Sequence, residues 1–121
     1  MALCLIGQGH KSLPANISKG YRNAVMSWQD NVDYEISGNV GFVPGTIVHN
    51  WHGNKKNRKY VERWKIITDC DFDPTRDLIR DNQGMYRLNM AYGKRSIRLR
   101  DKIRQYFRQR NEDSIDLWDD I

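Results

Sequence analysis

Cysteine is nearly missing from this sequence. Of 121 residues only Cys4 and Cys70 are cysteines, far apart and each inside an apolar segment. That scarcity excludes a disulfide framework and a cysteine-built zinc site, and two buried free thiols are a simpler reading than one long-range disulfide. Long apolar runs are missing too. Nothing approaches the roughly 18 residues of a membrane span. The opening Met-Ala-Leu-Cys-Leu-Ile has no positive n-region and is too short for a signal peptide, so the expectation is a cytosolic protein. No glycine-rich phosphate loop follows a strand and no Gly-x-Ser-x-Gly occurs, which removes the P-loop and nucleophile-elbow chemistries. Internal repeats and low-complexity segments are absent. A capping residue is also wanting before the apolar Met1–Ile6, as if the chain began inside an element, so the expectation is a piece of something longer.

What is present describes one globular domain spanning 1–121. Hydrophobic residues make up 39% and charged residues 29%, and the formal net charge of +5 favours anionic partners. The pattern reads as α+β, mostly helical with one or two short strands. Residues 1 to 8 read as a short buried helix ending near Gly7 and Gly9, with a loop over His10–Pro14. Ser18 caps a helix to about Asp33, in which Tyr21, Val25, Trp28 and Val32 share one apolar face and Arg22, Asn23, Gln29 and Asp30 the polar one. Ile36 to Gly45, with three glycines and Pro44, is a loop. Thr46–His49 reads as a short buried strand, and Lys56 to about Thr68 as a helix with Tyr60, Trp64 and Ile67 as its stripe. Asp73 is an N-cap with Pro74 at the first helical position of a short helix stopped by Asn82-Gln-Gly84. Met85–Leu88 fits a second strand. Ser96 to about Arg110 is the last helix, with Ile97, Ile103, Tyr106 and Phe107 apolar. Residues 112–121 carry five acidic side chains among Ile115, Leu117 and Trp118, as a tail or a closing arm.

Candidate chemistry concentrates in Gly45-Thr-Ile-Val-His-Asn-Trp-His-Gly53 and the cations that follow. His49 and His52 are three apart. In a regular strand they face opposite sides, and they converge on one metal ion only if the chain turns after His49, which Gly53 allows. Otherwise one is a ligand and the other supports it, or both form a partly buried hydrogen-bonded pair beside Trp51. Two histidines need further ligands to hold a metal. Lys55, Lys56, Arg58 and Lys59 fall at the start of the expected helix, where free amides and the dipole attract an anion. The alternative is an ordinary solvated face. Eight Lys or Arg lie between Lys94 and Arg110 against Asp101 alone. They are spread around the helix rather than in one stripe, so nucleic-acid binding is the weaker reading, and the acidic tail folding back on them is the alternative. Asp69, Asp71 and Asp73 alternate in a turn without the glycine and closing Glu of a calcium loop.

Several blocks together resemble one family. They are Met1–Gly7, Gly20-Tyr-Arg22, Gly41-Phe-Val-Pro-Gly-Thr-Ile-Val-His-Asn-Trp-His-Gly53, Asn57-Arg-Lys-Tyr60, Arg63-Trp-Lys65, Phe72-Asp-Pro74 and Arg108-Gln-Arg-Asn-Glu-Asp113. In these the chain resembles the C-terminal part of phage- and bacteria-encoded, family 2-like glycosyltransferases of the GT-A fold, galactosyltransferase-like enzymes that use nucleotide-sugar donors. The resemblance implies a nucleotide-sugar over an N-terminal Rossmann-like half, and Mn2+ or Mg2+ bridging its diphosphate. It also implies Asp-x-Asp carboxylates with His49 or His52 completing the metal shell, and Lys55, Lys56 and Arg58 beside the phosphates. An acceptor glycan is the implied second substrate, Arg63 and Trp64 are structural, and the setting is cytoplasmic, of viral origin. The sequence departs from that family in having no nucleotide-binding half. Its Asp69-Cys-Asp71 and Asp71-Phe-Asp73 lie after the histidines, and the catalytic base would precede Met1. The implied entity is the acceptor-side and metal-closing segment, inactive alone and completed by a partner that supplies the N-terminal half. The other reading is a phage-type accessory or structural protein that binds an anionic nucleic acid or protein through its basic face.

Overall fold

A computed structural model of the chain describes residues 1–48 and 55–110. Its architecture is α+β and mostly helical, with a single two-stranded antiparallel sheet among the described residues. Two 3-10 helices, Ala2–Ile6 and Gly9–Ser12, lead into α1 (Lys19–Ile36). A 3-10 turn over Lys55–Arg58 precedes α2 (Arg63–Asp69). Then come α3 (Pro74–Asp77), the hairpin of β1 (Leu78–Arg80) and β2 (Tyr86–Leu88), a 3-10 turn at Met90–Tyr92, and α4 (Lys94–Arg110). No helix among the described residues is long and apolar enough to cross a membrane.

Local chemistry sets most of these boundaries. Ser18 caps α1 by accepting from the Tyr21 amide at 3.2 Å, while its own hydroxyl donates to the Phe72 carbonyl at 2.6 Å. Ala2–Ile6 ends on Gly7 in the left-handed region (φ 70°), with the Gln8 amide bonding back to Leu3 and that of Gly7 to Cys4. This is the two-bond closure of a Schellman turn. The end of α2 repeats it with Asp71 (φ 47°) in the left-handed position, the Phe72 amide on Ile67 and the Asp71 amide on Thr68. Asp73 caps α3 through the Thr75 amide, with Pro74 at the first position. The hairpin pairs Leu78 with Leu88, Ile79 with Arg87 and Arg80 with Tyr86.

The core is small. Cys4, Ile17, Cys70 and Leu99 are its buried apolar side chains among the described residues, and both cysteines are free thiols. The Tyr21 ring joins α1 to α2 and to the α2–α3 turn, edge-on to Trp64 at 6.2 Å and to Phe72 at 6.0 Å. Such edge-to-face pairs each add about 0.5–1.5 kcal/mol beyond the area they bury.

Several sequence expectations are corrected. Thr46, Ile47 and Val48 form neither a strand nor part of the core: they have no regular structure, and Ile47 and Val48 are exposed at 85% and 86%. A strand needs a ladder partner for its amides, and none is provided among the described residues. His49 lies outside them. The helix expected over Lys56–Thr68 is two pieces. Lys59 adopts φ 43°, which breaks the winding, and α2 begins only at Arg63. Gln29, placed on the polar face, is buried because its side-chain oxygen accepts the Gly9 amide at 2.7 Å. Asn82-Gln-Gly84 is the hairpin turn rather than a helix stop: α3 has already ended at Asp77, and β1 occupies residues read as helix. In that turn Asp81 Oδ1 accepts from the amides of Gln83 and Met85. On α4 the deepest side chain is Leu99, while Ile97 and Phe107 are largely exposed.

Candidate functional site

The cationic cluster forms a compact turn. Lys55–Arg58 is one 3-10 turn, with Lys55 and Lys56 exposed and Arg58 half-buried. It does not sit on the N-terminus of α2, as the sequence suggested. Four cations on the positive end of a helix dipole oppose one another and the dipole, and the left-handed φ of Lys59 separates the turn from α2, which begins at Arg63.

Two long-range bonds fix this turn to the far end of α4. The Tyr106 hydroxyl donates to the Arg58 carbonyl at 3.0 Å, and Lys59 Nζ donates to Gln109 Oε1 at 3.0 Å. Within the turn, Arg58 Nη1 donates to the Tyr60 hydroxyl at 2.9 Å, and the Arg63 guanidinium lies over the Tyr60 ring at 4.9 Å. The Arg58 hydrogen bond, helped by the charges of Arg58, Arg63 and Lys55, lowers the Tyr60 phenol pKa. The result is an exposed cationic loop held by its backbone. Its positive charge favours an anion over a cation as a ligand.

The sequence-derived site residues divide accordingly. Lys55, Lys56 and Arg58 share the turn. His49 and His52 lie outside the described residues. No group of three or more His, Cys, Asp or Glu that could hold a metal occurs among the described residues. The alternating aspartates are otherwise engaged: Asp69 faces Lys102 at 3.7 Å, Asp71 pairs with Arg76 at 3.1 Å, and Asp73 caps two helices. They do not fit a metal-binding Asp-x-Asp.

One polar centre escaped the sequence reading. Asp77, 2% exposed, receives both guanidinium nitrogens of Arg95, with Nη2 at 2.9 Å from Oδ2, and the Asp73 amide at 2.8 Å. Arg95 also donates to the carbonyls of Cys70 (2.9 Å) and Asp71 (2.6 Å), tying α4 to the end of α2. Burial alone would push the Asp77 carboxyl up. Arg95, the Asp73 amide and Arg76 overcome that and hold it at about 2. Both carboxylate oxygens of Asp77 and both terminal nitrogens of Arg95 are engaged by the protein itself, so the cluster is a structural clamp. The signal for it was local: in Asp73-Pro-Thr-Arg-Asp77 a second acid four residues past the cap reaches back to the cap's amide, a close variant of a capping box.

Compared with protein-family models, with curated proteins and with solved structures, the chain matches none.

Proposed function

We propose that the chain is the acceptor-side and diphosphate-closing segment of a nucleotide-sugar-dependent glycosyltransferase, completed by a nucleotide-binding half on another segment or partner. The observation that carries this reading is the Lys55–Arg58 turn, which follows the His-Asn-Trp-His-Gly block directly and is clamped to α4 through Tyr106. Lys55, Lys56 and Arg58 face the diphosphate in this reading, and their positive charge offsets the charge that develops as the diphosphate departs. His49 and His52 are the proposed ligands of Mn2+ or Mg2+, which when bound would add Lewis-acid neutralisation of the same group. Phe42, Val43, Ile47 and Val48, all more than four-fifths exposed, support the need for a completing partner.

Calorimetric titration of the full chain with a nucleoside diphosphate, with and without Mn2+, tests the proposal. Binding that weakens about tenfold in Lys55→Ala/Lys56→Ala, and loses its Mn2+ dependence in His49→Ala or His52→Ala, is the expected result. Binding indifferent to the histidines and to Mn2+ would favour the second reading, an accessory protein that takes an anionic partner on its basic face. No binding by the wild-type chain would remove the diphosphate role from this segment.

A further inference from the structure

Packing sorts the eight cations of α4 into two sets. Arg95 is turned inward onto Asp77, Lys102 lies 3.7 Å from Asp69, and Arg110 lies over the rings of Tyr106 and Phe107. These three share the side of the helix that buries Leu99. On the other side Lys94, Arg98, Arg104 and Arg108 are exposed, and none of them has a carboxylate partner among the described residues. Arg100 completes that side and pairs only with its neighbour Asp101, at 2.8 Å. With 3.6 residues per turn these five follow one another in steps of about 40° around the helix, from Arg100 through Arg104, Arg108 and Lys94 to Arg98. They form one band, an arc of about 160° that runs about 21 Å along the axis. Ile97 is the one apolar residue of α4 inside the arc.

We propose that this outward band docks on duplex DNA, with α4 lying along the major groove and its cations on the phosphates of both walls. A B-form major groove is about 12 Å wide and admits an α-helix of about 10–12 Å. Because phosphates flank such a helix on both sides, it needs cations over a broad arc rather than a narrow stripe, and the band has that distribution. Arginine supplies all of it but Lys94, and its planar fork matches a phosphate. The band also repels itself when free. Arg104 stands four residues from both Arg100 and Arg108, and Lys94 four from Arg98, all like-charge neighbours on a helix surface. Phosphates along the band relieve every one of these pairs. An acidic protein is less suited, since protein interfaces have an apolar centre and the band offers Ile97 alone, whereas DNA interfaces are polar and strongly cationic. Duplex RNA is less suited because its major groove is deep and narrow. The Lys55–Arg58 turn meets α4 through Tyr106 and Lys59 meets it through Gln109, away from the band. The inference therefore goes beyond the diphosphate reading and stands whether or not the chain takes part in glycosyl transfer.

Fluorescence anisotropy of a labelled DNA duplex titrated with the full chain tests this. The expected result is binding whose log affinity falls with log salt at a slope of roughly −3 to −4, each neutralised phosphate adding about −0.9. Arg98→Gln/Arg104→Gln/Arg108→Gln should weaken binding at least about tenfold at low salt and make the slope shallower by roughly 2–3. Its helical circular dichroism should be unchanged, because glutamine is a good helix former and the three side chains bond to no other described segment. A charge-matched control on exposed cations elsewhere, Lys11→Gln/Lys65→Gln/Arg87→Gln, should shift affinity no more than about twofold. The arginine variant should bind a nucleoside diphosphate as the wild-type chain does, so the two readings fail separately. No DNA binding by the wild-type chain at low salt would overturn the proposal. So would equal weakening in the control. Tighter binding of duplex RNA of the same sequence would overturn the seating in a B-form groove. Displacement of the DNA by polyglutamate at matched charge concentration would overturn the proposal in favour of an acidic protein partner.

Discussion

Asp73 and Gly20, fifty-three residues apart, are joined at 3.0 Å: the Gly20 amide in the first turn of α1 donates to the same carboxylate that caps α3 through Thr75. One negative charge thus serves the positive ends of two helices, which fixes how α1 meets the α2–α3 turn. The Thr75 hydroxyl, then the amides of Thr75 and Gly20, hold this carboxyl below its ordinary value. Gly20 is required by space: a Cβ there would lie 1.9 Å from Asp73 Oδ1.

Gly20→Ala is therefore expected to destabilise the chain by about 1–3 kcal/mol, because Asp73 must leave its position and the Gly20 amide loses its acceptor. Urea unfolding followed by circular dichroism measures it. Adding Asp73→Ala should cost only the α3 cap, about 1 kcal/mol more, since the bond to Gly20 is already broken.

Arg95→Ala should cost about 3 kcal/mol, the low end for a broken buried ion pair, because Arg76 remains 3.4 Å from Asp77. The loss should appear as a lower urea midpoint. Arg95→Lys should recover only part of it, since an ammonium cannot serve both carboxylate oxygens and two carbonyls together.

Acid stability follows from the same clamp. The Asp77 carboxyl sits at about 2 in the folded chain against an ordinary 3.8. Its contribution, about 2 kcal/mol by linkage, is fully present above pH 4 and is lost as pH falls from there through 2. Asp77→Asn should lower stability at pH 7 and flatten its dependence on pH between 4 and 2 in thermal melts.

Gln29→Leu should cost about 1–3 kcal/mol, because it strands the Gly9 amide in a buried site. Hydrogen exchange at Gly9 should accelerate well beyond that at α1 amides. Tyr106→Phe removes a bond from the Arg58 carbonyl at about 1 kcal/mol, and exchange in the Lys55–Arg58 turn should rise while α3 is unaffected.

Much of the site was legible as chemistry and little of it as geometry. The cations of Lys55, Lys56 and Arg58 stand within four residues of sequence, so the cluster is visible without a fold. Its clamp to Tyr106 is not, since the partners are forty-eight residues apart and Tyr106 by spacing is one more apolar-face aromatic. Its place ahead of α2 was misread because helical periodicity passes through Lys59, and nothing in the residue type reports a left-handed φ there.

The division across the whole chain has one physical basis. Where a boundary depends on groups within a few residues, it is legible from the chain alone: Ser18 starting α1, Asp73 and Pro74 starting α3, a strand within Met85–Leu88 (observed at Tyr86–Leu88), and a helix from Ser96 to about Arg110 (observed from Lys94). Short-range hydrogen bonds and side-chain spacing decide those, and both are written in consecutive residues. Which polar groups go inside depends on contacts between distant segments. Gln29 is buried because Gly9 offers an amide, and Asp77 because Arg95 reaches it from α4. The same contacts decide that Ile47 and Val48 stay out. A polar group is buried when a distant partner satisfies it and an apolar one when a surface is there to cover it. Neither partner nor surface exists until the chain has folded.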